Sequence, residues 1–415
     1  MIAVNTIKID NVTRNNNKIT LERLDHTKCA SDFLRTVKDC VRLGYKDIVV
    51  SSNATVIYPN ACLPIAGIIK FYESQGVEFL YDLDKNDYLI KCGFVKQFEK
   101  DREEIQREYA PFDKIFIYKT SGQVADLTQA YIDSISHQSI CEEGVLKSLI
   151  WCINEVMDNV LVHSESEYGM VMAQYHPQKK HIAFCIYDSG IGIHNSMKNS
   201  VHHPKEEIDS LSLAVQEGVG DGKGQGNGLF GLFEIVKENH GRLTLSSGGA
   251  SIMLLDDGYI NKYDRLPFIS YRNKSTTVDF QIDLNNPVNL DKVFKSIGGF
   301  DGFDIRIDDM IDDNGYLEYD VFDNGQGTAT REAGLYLRND IENILRREKT
   351  KIILDFTKVQ TVSSSFIDEL LAKMVLDIGF INFNDLIQIK GMNKDVKLLC
   401  ERSLYMRIFE EWKNK

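Results

Sequence analysis

Six glycines occupy every second position from Gly218 to Gly228, and the chain then runs straight into Leu229-Phe230-Gly231-Leu232-Phe233-Glu234-Ile235-Val236. Alternating glycine removes the side chains that would pack a helix or strand, so this run reads as a loop with bare backbone N–H groups. The apolar octet behind it reads as a core helix, which fixes the end of the loop. A flexible linker is the competing reading, but linkers seldom run directly into an apolar helix. An anion-binding turn fits better: exposed N–H groups plus the helix dipole are worth about 0.3–1 kcal/mol or more to an anion. Lys223 could add a point charge. A dinucleotide fingerprint fits poorly because no short β-α-β unit frames the glycines, and no Gly-Lys-Ser/Thr phosphate loop is present.

Two earlier segments carry compatible chemistry. On a predicted helix over 142–163, Val145, Leu149, Ile153, Val156 and Val160 recur at helical spacing, while Glu155 and Asn159, four apart, share another face. A carboxylate there can deprotonate water or a hydroxyl, and an amide oxygen can ligate Mg²⁺. A solvated polar stripe is the alternative. Asp188-Ser189-Gly190-Ile191-Gly192 follows a predicted strand ending at Tyr187. Its glycines allow close backbone approach and its carboxylate can accept an adenine amine, or the segment is an ordinary strand-to-loop turn.

The order Glu155-x-x-x-Asn159, Asp188-x-Gly190-x-Gly192, Gly224-x-Gly226-x-Gly228-Leu229 and then a threonine-bearing strand resembles the GHKL ATP-binding family over residues 112–285. The resemblance implies a central Bergerat α/β sandwich holding Mg·ATP beneath a mobile lid, roughly 193–227. It implies Asn159 as Mg²⁺ ligand, Asp188 as adenine acceptor, Gly190 and Gly192 as the turn beneath the ring, and Glu155 as general base. Lys223, Gly224, Gly226, Gly228 and Leu229 would form the phosphate loop, and Thr276 would support adenine recognition. The threonine strand departs from the family, reading Ser275-Thr276-Thr277-Val278 where Gly-Thr is common.

Both flanks read as β-α-β. Residues 1–95 hold predicted strands at 47–50 and 76–81 around a helix over 60–74, with Pro64 near its first turn. A charged connecting helix is expected over 96–111. Within the central domain, 193–228 reads as a polar glycine-rich stretch and 257–274 as a hairpin connection. After Pro287 the pattern resets, with strands at 351–356 and 386–389 and a helix over 364–376. Residues 50–61 overlie 354–365 as a weak repeat. The stretch Leu354 to Phe366 resembles STAS domains, placing a C-terminal STAS-like domain at 290–415 and, through the repeat, an N-terminal one at 1–95. The resemblance puts Ser365 at the serine that antagonists of that family present for phosphorylation. Ser363 and Phe366 replace the usual aspartate and glycine, and Ser363 with Ser364 could simply cap the helix.

The chain is 43% hydrophobic and 26% charged with a net charge of −13, which disfavours broad binding to nucleic acid or anionic membrane. No apolar run reaches the ~18–20 residues of a membrane span and no leader-like start is visible, so a cytoplasmic protein is expected, and its eight cysteines, without a Cys-x-x-Cys pair, read as buried thiols. The expectation is a bacterial ATP- and Mg²⁺-dependent switch, an ATP hydrolase acting through STAS-like domains on a protein partner or a second copy. A serine/threonine kinase acting on Ser365 or a partner's serine, and a non-catalytic ATP-binding module, stand as alternatives.

Overall fold

The computed structural model describes residues 6–83, 87–198, 200–220, 226–297, 299, 307, 310–312, 315–348 and 350–413. The chain is mixed α/β, with three sheets among the described residues. It forms two compact units, one of residues 1–131 with 148–299 and the other of 132–147 with 300–415. Among the described residues, no helix is long and apolar enough to cross a membrane. All eight cysteines are buried.

The first unit begins with strands β1 (Thr6–Ile9), β2 (Val12–Asn15) and β3 (Lys18–Leu21), then helix α1 (Lys28–Arg42), β4 (Asp47–Ser52), α2 (Pro59–Ser74) and β5 (Glu78–Asp82). These strands form one sheet in sequence order, antiparallel from β1 to β3 and parallel from β3 to β5. Helix α2 starts one residue earlier than expected and Pro64 lies in its interior. It is buried on nearly all sides, from Ala61 through Ile69. Such a helix needs apolar neighbours all round, and α2 has them because it also packs on a second sheet. The approach is close: a Cβ on Gly67 would sit 2.1 Å from the Tyr187 ring, so only glycine fits there.

After α3 (Asp87–Lys91), the expected helix over 96–111 is corrected. Residues Phe98–Glu99 form β6, paired parallel with β7 (Phe116–Tyr118), and the helix shrinks to α4 (Arg102–Gln106). The charges that suggested a long helix serve instead as caps and ion pairs. Asp101 and Glu104 form a reciprocal capping box at the start of α4, and Arg102 reaches Asp126 at 2.6 Å.

Helices α5 (Ser121–Gln138) and α6 (Val145–His163) follow, then β8 (Gly169–His176) and β9 (His181–Asp188). The stretch expected to be polar and irregular carries two helices, α7 (Gly192–Met197) and α8 (Glu207–Ala214). Leu211 and Ala214 are buried, an apolar pattern too short to show over the surrounding polar residues. Helix α9 (Gly228–Glu238) precedes β10 (Arg242–Ser247), β11 (Ala250–Leu254), β12 (Ile260–Tyr263) and β13 (Thr276–Asp283). The supposed hairpin connection contains β12, an edge strand antiparallel to β11. The eight-stranded order is β12-β11-β10-β13-β9-β8-β7-β6. A short helix α10 (Leu290–Val293) closes the unit, with Phe294 buried against Trp151.

The second unit has β14 (Leu317–Asp320), α11 (Arg331–Glu348), β15 (Ile352–Asp355), α12 (Ser364–Ile367), a π turn (Asp368–Ala372), α13 (Lys373–Ile378), α14 (Phe380–Leu386), β16 (Ile387–Lys390) and α15 (Lys394–Lys413). The strands are parallel in the order β14-β15-β16. The expected single helix over 364–376 thus contains a π turn. Its core joins Leu317, Tyr319, Leu337, Ile341, Leu354, Phe366 and Leu370. Residues 132–147 are tied to α11 by buried polar side chains. Asp340 accepts from Ser136 and Tyr319, each at 2.7 Å, and Asn343 donates to the carbonyls of Ser136 and Ser139. The order β3-α1-β4-α2-β5 in the first unit recurs here as β14-α11-β15-α12-β16, the pattern behind the weak repeat.

Candidate functional site

Helix α6 is amphipathic with a core face of Val145, Leu149, Ile153 and Val156, which leaves Glu155 and Asn159 half-buried on another face. What they face is the start of α9. A Cβ on Gly228 would lie 2.5 Å from Glu155 Oε2 and 3.1 Å from Asn159 Nδ2. Any larger residue at position 228 would drive the carboxylate aside, so the glycine admits the helix N-terminus to this pair. Burial pushes the Glu155 carboxyl above its ordinary 4.5, with Asp158 adding to the rise and His163 opposing it.

Asp188 ends β9 and is buried, at 3% exposure. Burial pushes it from 3.8 up to about 7, against hydrogen bonds from Gly190 and Thr276 that favour the charged form. Its Oδ1 accepts from Gly190 N–H at 2.8 Å, and its Cα partner across the ladder is Thr276. Two glycines are demanded by the turn that follows. A Cβ on Gly190 would meet the Ser164 carbonyl oxygen at 2.0 Å, and Gly192 has φ +78°. The turn is pinned by Ile191 N–H to Ser164 O at 2.8 Å, and by Lys274 and Ser275 N–H to Gly190 O at 2.8 and 3.1 Å.

Gly226 has φ +73°, Asn227 Oδ1 accepts from Gly218 N–H at 3.0 Å, and Leu229 lies half-buried in the first turn of α9. Lys223 and Gly224 lie outside the described residues. Ser275, just before Thr276, has φ +60°, the left-handed conformation in which glycine carries no steric penalty. Its carbonyl accepts from Gly248 N–H and Ser247 Oγ, contacts that hold it there.

The first unit therefore brings the helix pair, the glycine helix start and the Asp188 turn into one region. Sequence reasoning missed several of its members. Ser247 receives Ile193 N–H at 2.9 Å and lies 3.1 Å from Thr276 Oγ1, joining the turn to the threonine. Asn273 donates to Ser189 O at 3.0 Å. Asp158, present in the first segment but given no role, has a buried Oδ1 and a carboxyl raised by burial. Ser247 and Asn273 carry no spacing signal, since only strand pairing brings them close.

Ser365 lies in the second unit. Ser363 is the cap of α12, its Oγ accepting from Phe366 N–H at 3.0 Å, whereas Ser364 is exposed. Ser365 is half-buried with its hydroxyl 3.0 Å from that of Ser363. Among the described residues, one trio of metal-ligand type, Asp25, His26 and Cys29, has ligand atoms within 4.8 Å of one another. Arg23 engages Asp25 at 2.7 Å and burial pushes the Cys29 thiol up, which works against a thiolate ligand.

Residues 333–397 match the family described as STAS-like domain of unknown function (DUF4325). A C-terminal STAS-like domain is therefore present, spanning α11 through the start of α15. No curated protein matches the chain.

Proposed function

We propose that the first unit binds Mg·ATP and hydrolyses it, and that the nucleotide state controls protein contacts made through the STAS-like domain. The observation that carries this reading is the meeting of Gly228 with Glu155 and Asn159: an N-terminus of an eleven-residue helix, bare of a side chain, faces a carboxylate and an amide. Helix N-termini favour phosphate, and the missing side chain at position 228 lets the helix start come close to Glu155 and Asn159. Asn159 would hold Mg²⁺, which when bound polarises the terminal phosphoryl group. Asp188 would accept the adenine amine, beside Gly190, Gly192 and Thr276. Glu155, made more basic by burial, would take the proton of the attacking water as its oxygen bonds to the terminal phosphorus. The bridging P–O bond breaks and ADP keeps its electron pair.

The test is Glu155→Ala in the full chain. ATP binding should persist while ADP production falls at least about a hundredfold, the scale of a lost general base. Unchanged turnover would sink the assignment.

A second reading is favoured by the C-terminal helix start. Because Ser363 supplies the cap, a phosphoryl group on Ser365 Oγ would sit at a helix N-terminus. A serine kinase would leave labelled phosphate on protein from γ-labelled ATP, lost in Ser365→Ala; free phosphate alone favours the hydrolase.

A further inference from the structure

Helix α15 runs for 20 residues, and its two faces differ in kind. On the inner face Val396 and Cys400 are buried, Leu404 packs on the core of the second unit, and Arg407 donates to Asp368 at 2.9 Å. At about 100° of rotation per residue, Leu398, Arg402, Tyr405 and Phe409 fall together on the opposite face. Their spacing alternates between four and three residues, the rhythm of a coiled-coil seam. All four are exposed, with Leu398 at 66%, Tyr405 at 67% and Phe409 at 46%. Met406 beside them, at 49%, widens the stripe.

A surface helix ordinarily turns polar residues outward, so an outer seam of large apolar side chains marks a contact surface. Self-complementarity says what covers it. In a parallel pair of such helices like positions meet, and Arg402 would press against Arg402 of the second copy in the middle of the seam. In an antiparallel pair the two kinds of seam position alternate across the interface. Leu398 then meets Phe409 of the second copy, and Arg402 meets its Tyr405, whose ring face attracts a cation. Both matches recur by two-fold symmetry, so every seam position has a counterpart. At roughly 200 Å² for a large side chain, the four apolar residues expose roughly 450 Å² per copy, and a pair buries roughly 900 Å² before its rim is counted. A specific interface needs roughly 1,000 Å², so the area suits a reversible dimer. A lipid surface fits less well, because the net charge of −13 opposes anionic headgroups and Arg402 interrupts the stripe.

We infer that α15 is a self-association surface: two chains dimerise through an antiparallel, two-fold pairing of this helix, with Arg402 of each copy stacked on Tyr405 of the other. The partner of the second unit is a second copy of this chain. The pairing needs no nucleotide, so it stands or falls separately from the ATP hydrolase reading.

Sedimentation velocity of the full chain without nucleotide, from about 1 to about 100 µM, tests it, with a monomer–dimer equilibrium of micromolar Kd expected. Tyr405→Glu should weaken the dimer about tenfold or more, with circular dichroism checking the fold; if that variant unfolds, Arg402→Ala decides. Arg402→Ala removes the stacked contact twice in a symmetric pair and should weaken the dimer about tenfold, whereas in a parallel pair it would strengthen it. Disulfide trapping reads the direction, since all eight native cysteines are buried. A mixture of Leu398→Cys and Phe409→Cys proteins under mild oxidation should give the mixed disulfide. Leu398→Cys alone should not cross-link, because its two copies lie about 16 Å apart along the helix axis. A monomer at about 100 µM, dimerisation unaffected by Tyr405→Glu, stronger association of Arg402→Ala, self-cross-linking of Leu398→Cys, or a monomer that binds phosphatidylcholine vesicles overturns the inference.

Discussion

Replacing Asp188 by asparagine should stabilise the ligand-free protein at neutral and alkaline pH, and the gain should vanish in acid. The carboxyl is held near 7 in the folded chain against an ordinary 3.8. An acid whose folded value is raised favours the folded state fully below the unfolded value, and that support is lost as pH climbs towards the folded value. The window is therefore pH 3.8 to about 7, and at about 1.4 kcal/mol per pH unit the loss comes to roughly 4 kcal/mol. Asp279 behaves alike, raised to about 7 by burial, so two protons contribute in the same window. Across its middle, wild-type stability should fall about twice as steeply with pH from these two groups as that of Asp188→Asn. Asparagine keeps an acceptor for Gly190 N–H, so the geometry of the turn survives. The assay is urea unfolding from pH 4.5 to 8 in a Trp412→Phe background. Trp151, the remaining one of two tryptophans, then reports the first unit through its contact with Phe294. Parallel pH curves for the two proteins, or a variant less stable than wild type at pH 8, would refute the reasoning.

Gly190→Ala should be among the most damaging single-methyl changes, since its Cβ would meet a backbone oxygen at 2.0 Å that cannot rotate away. A cost of about 3 kcal/mol or more, and a melting temperature lowered by about 6 °C or more, is expected in calorimetry, and a loss below about 2 °C would contradict the geometry. Ser363→Ala should cost about 1 kcal/mol through the lost cap of α12, whereas Ser365→Ala should cost less than half of that by the same measurement. Equal losses would mean that Ser365 carries the cap.

Much of the architecture was legible because it rests on local pattern. The core stripe of α6, the apolar octet of α9 and the strands flanking Asp188 appear within three residues of their expected bounds. Residues 96–111 were misread because charge density resembles an exposed helix whether the charges form caps and ion pairs or face solvent. Helices α7 and α8 were hidden because each is short and surrounded by polar residues.

By itself, the sequence determined which groups share a local pattern: a carboxylate and an amide on one helical face, an acid ahead of two glycines, and a glycine loop opening an apolar helix. Periodicity reaches that far, since helix and strand repeats fix which side chains share a face. Only tertiary structure decided what those faces meet. Gly228 meets Glu155 across dozens of residues, Ser247 joins Ile193 to Thr276, and Ser275 is held at a glycine's φ by long-range partners. A cross-strand row of the eight-stranded sheet is the extreme case. Tyr187, Thr277, Ser246, Ser251 and Tyr263 come from four separated stretches of chain, and only cross-strand register aligns them. Register depends on non-local hydrogen bonds between strands, which no local pattern encodes.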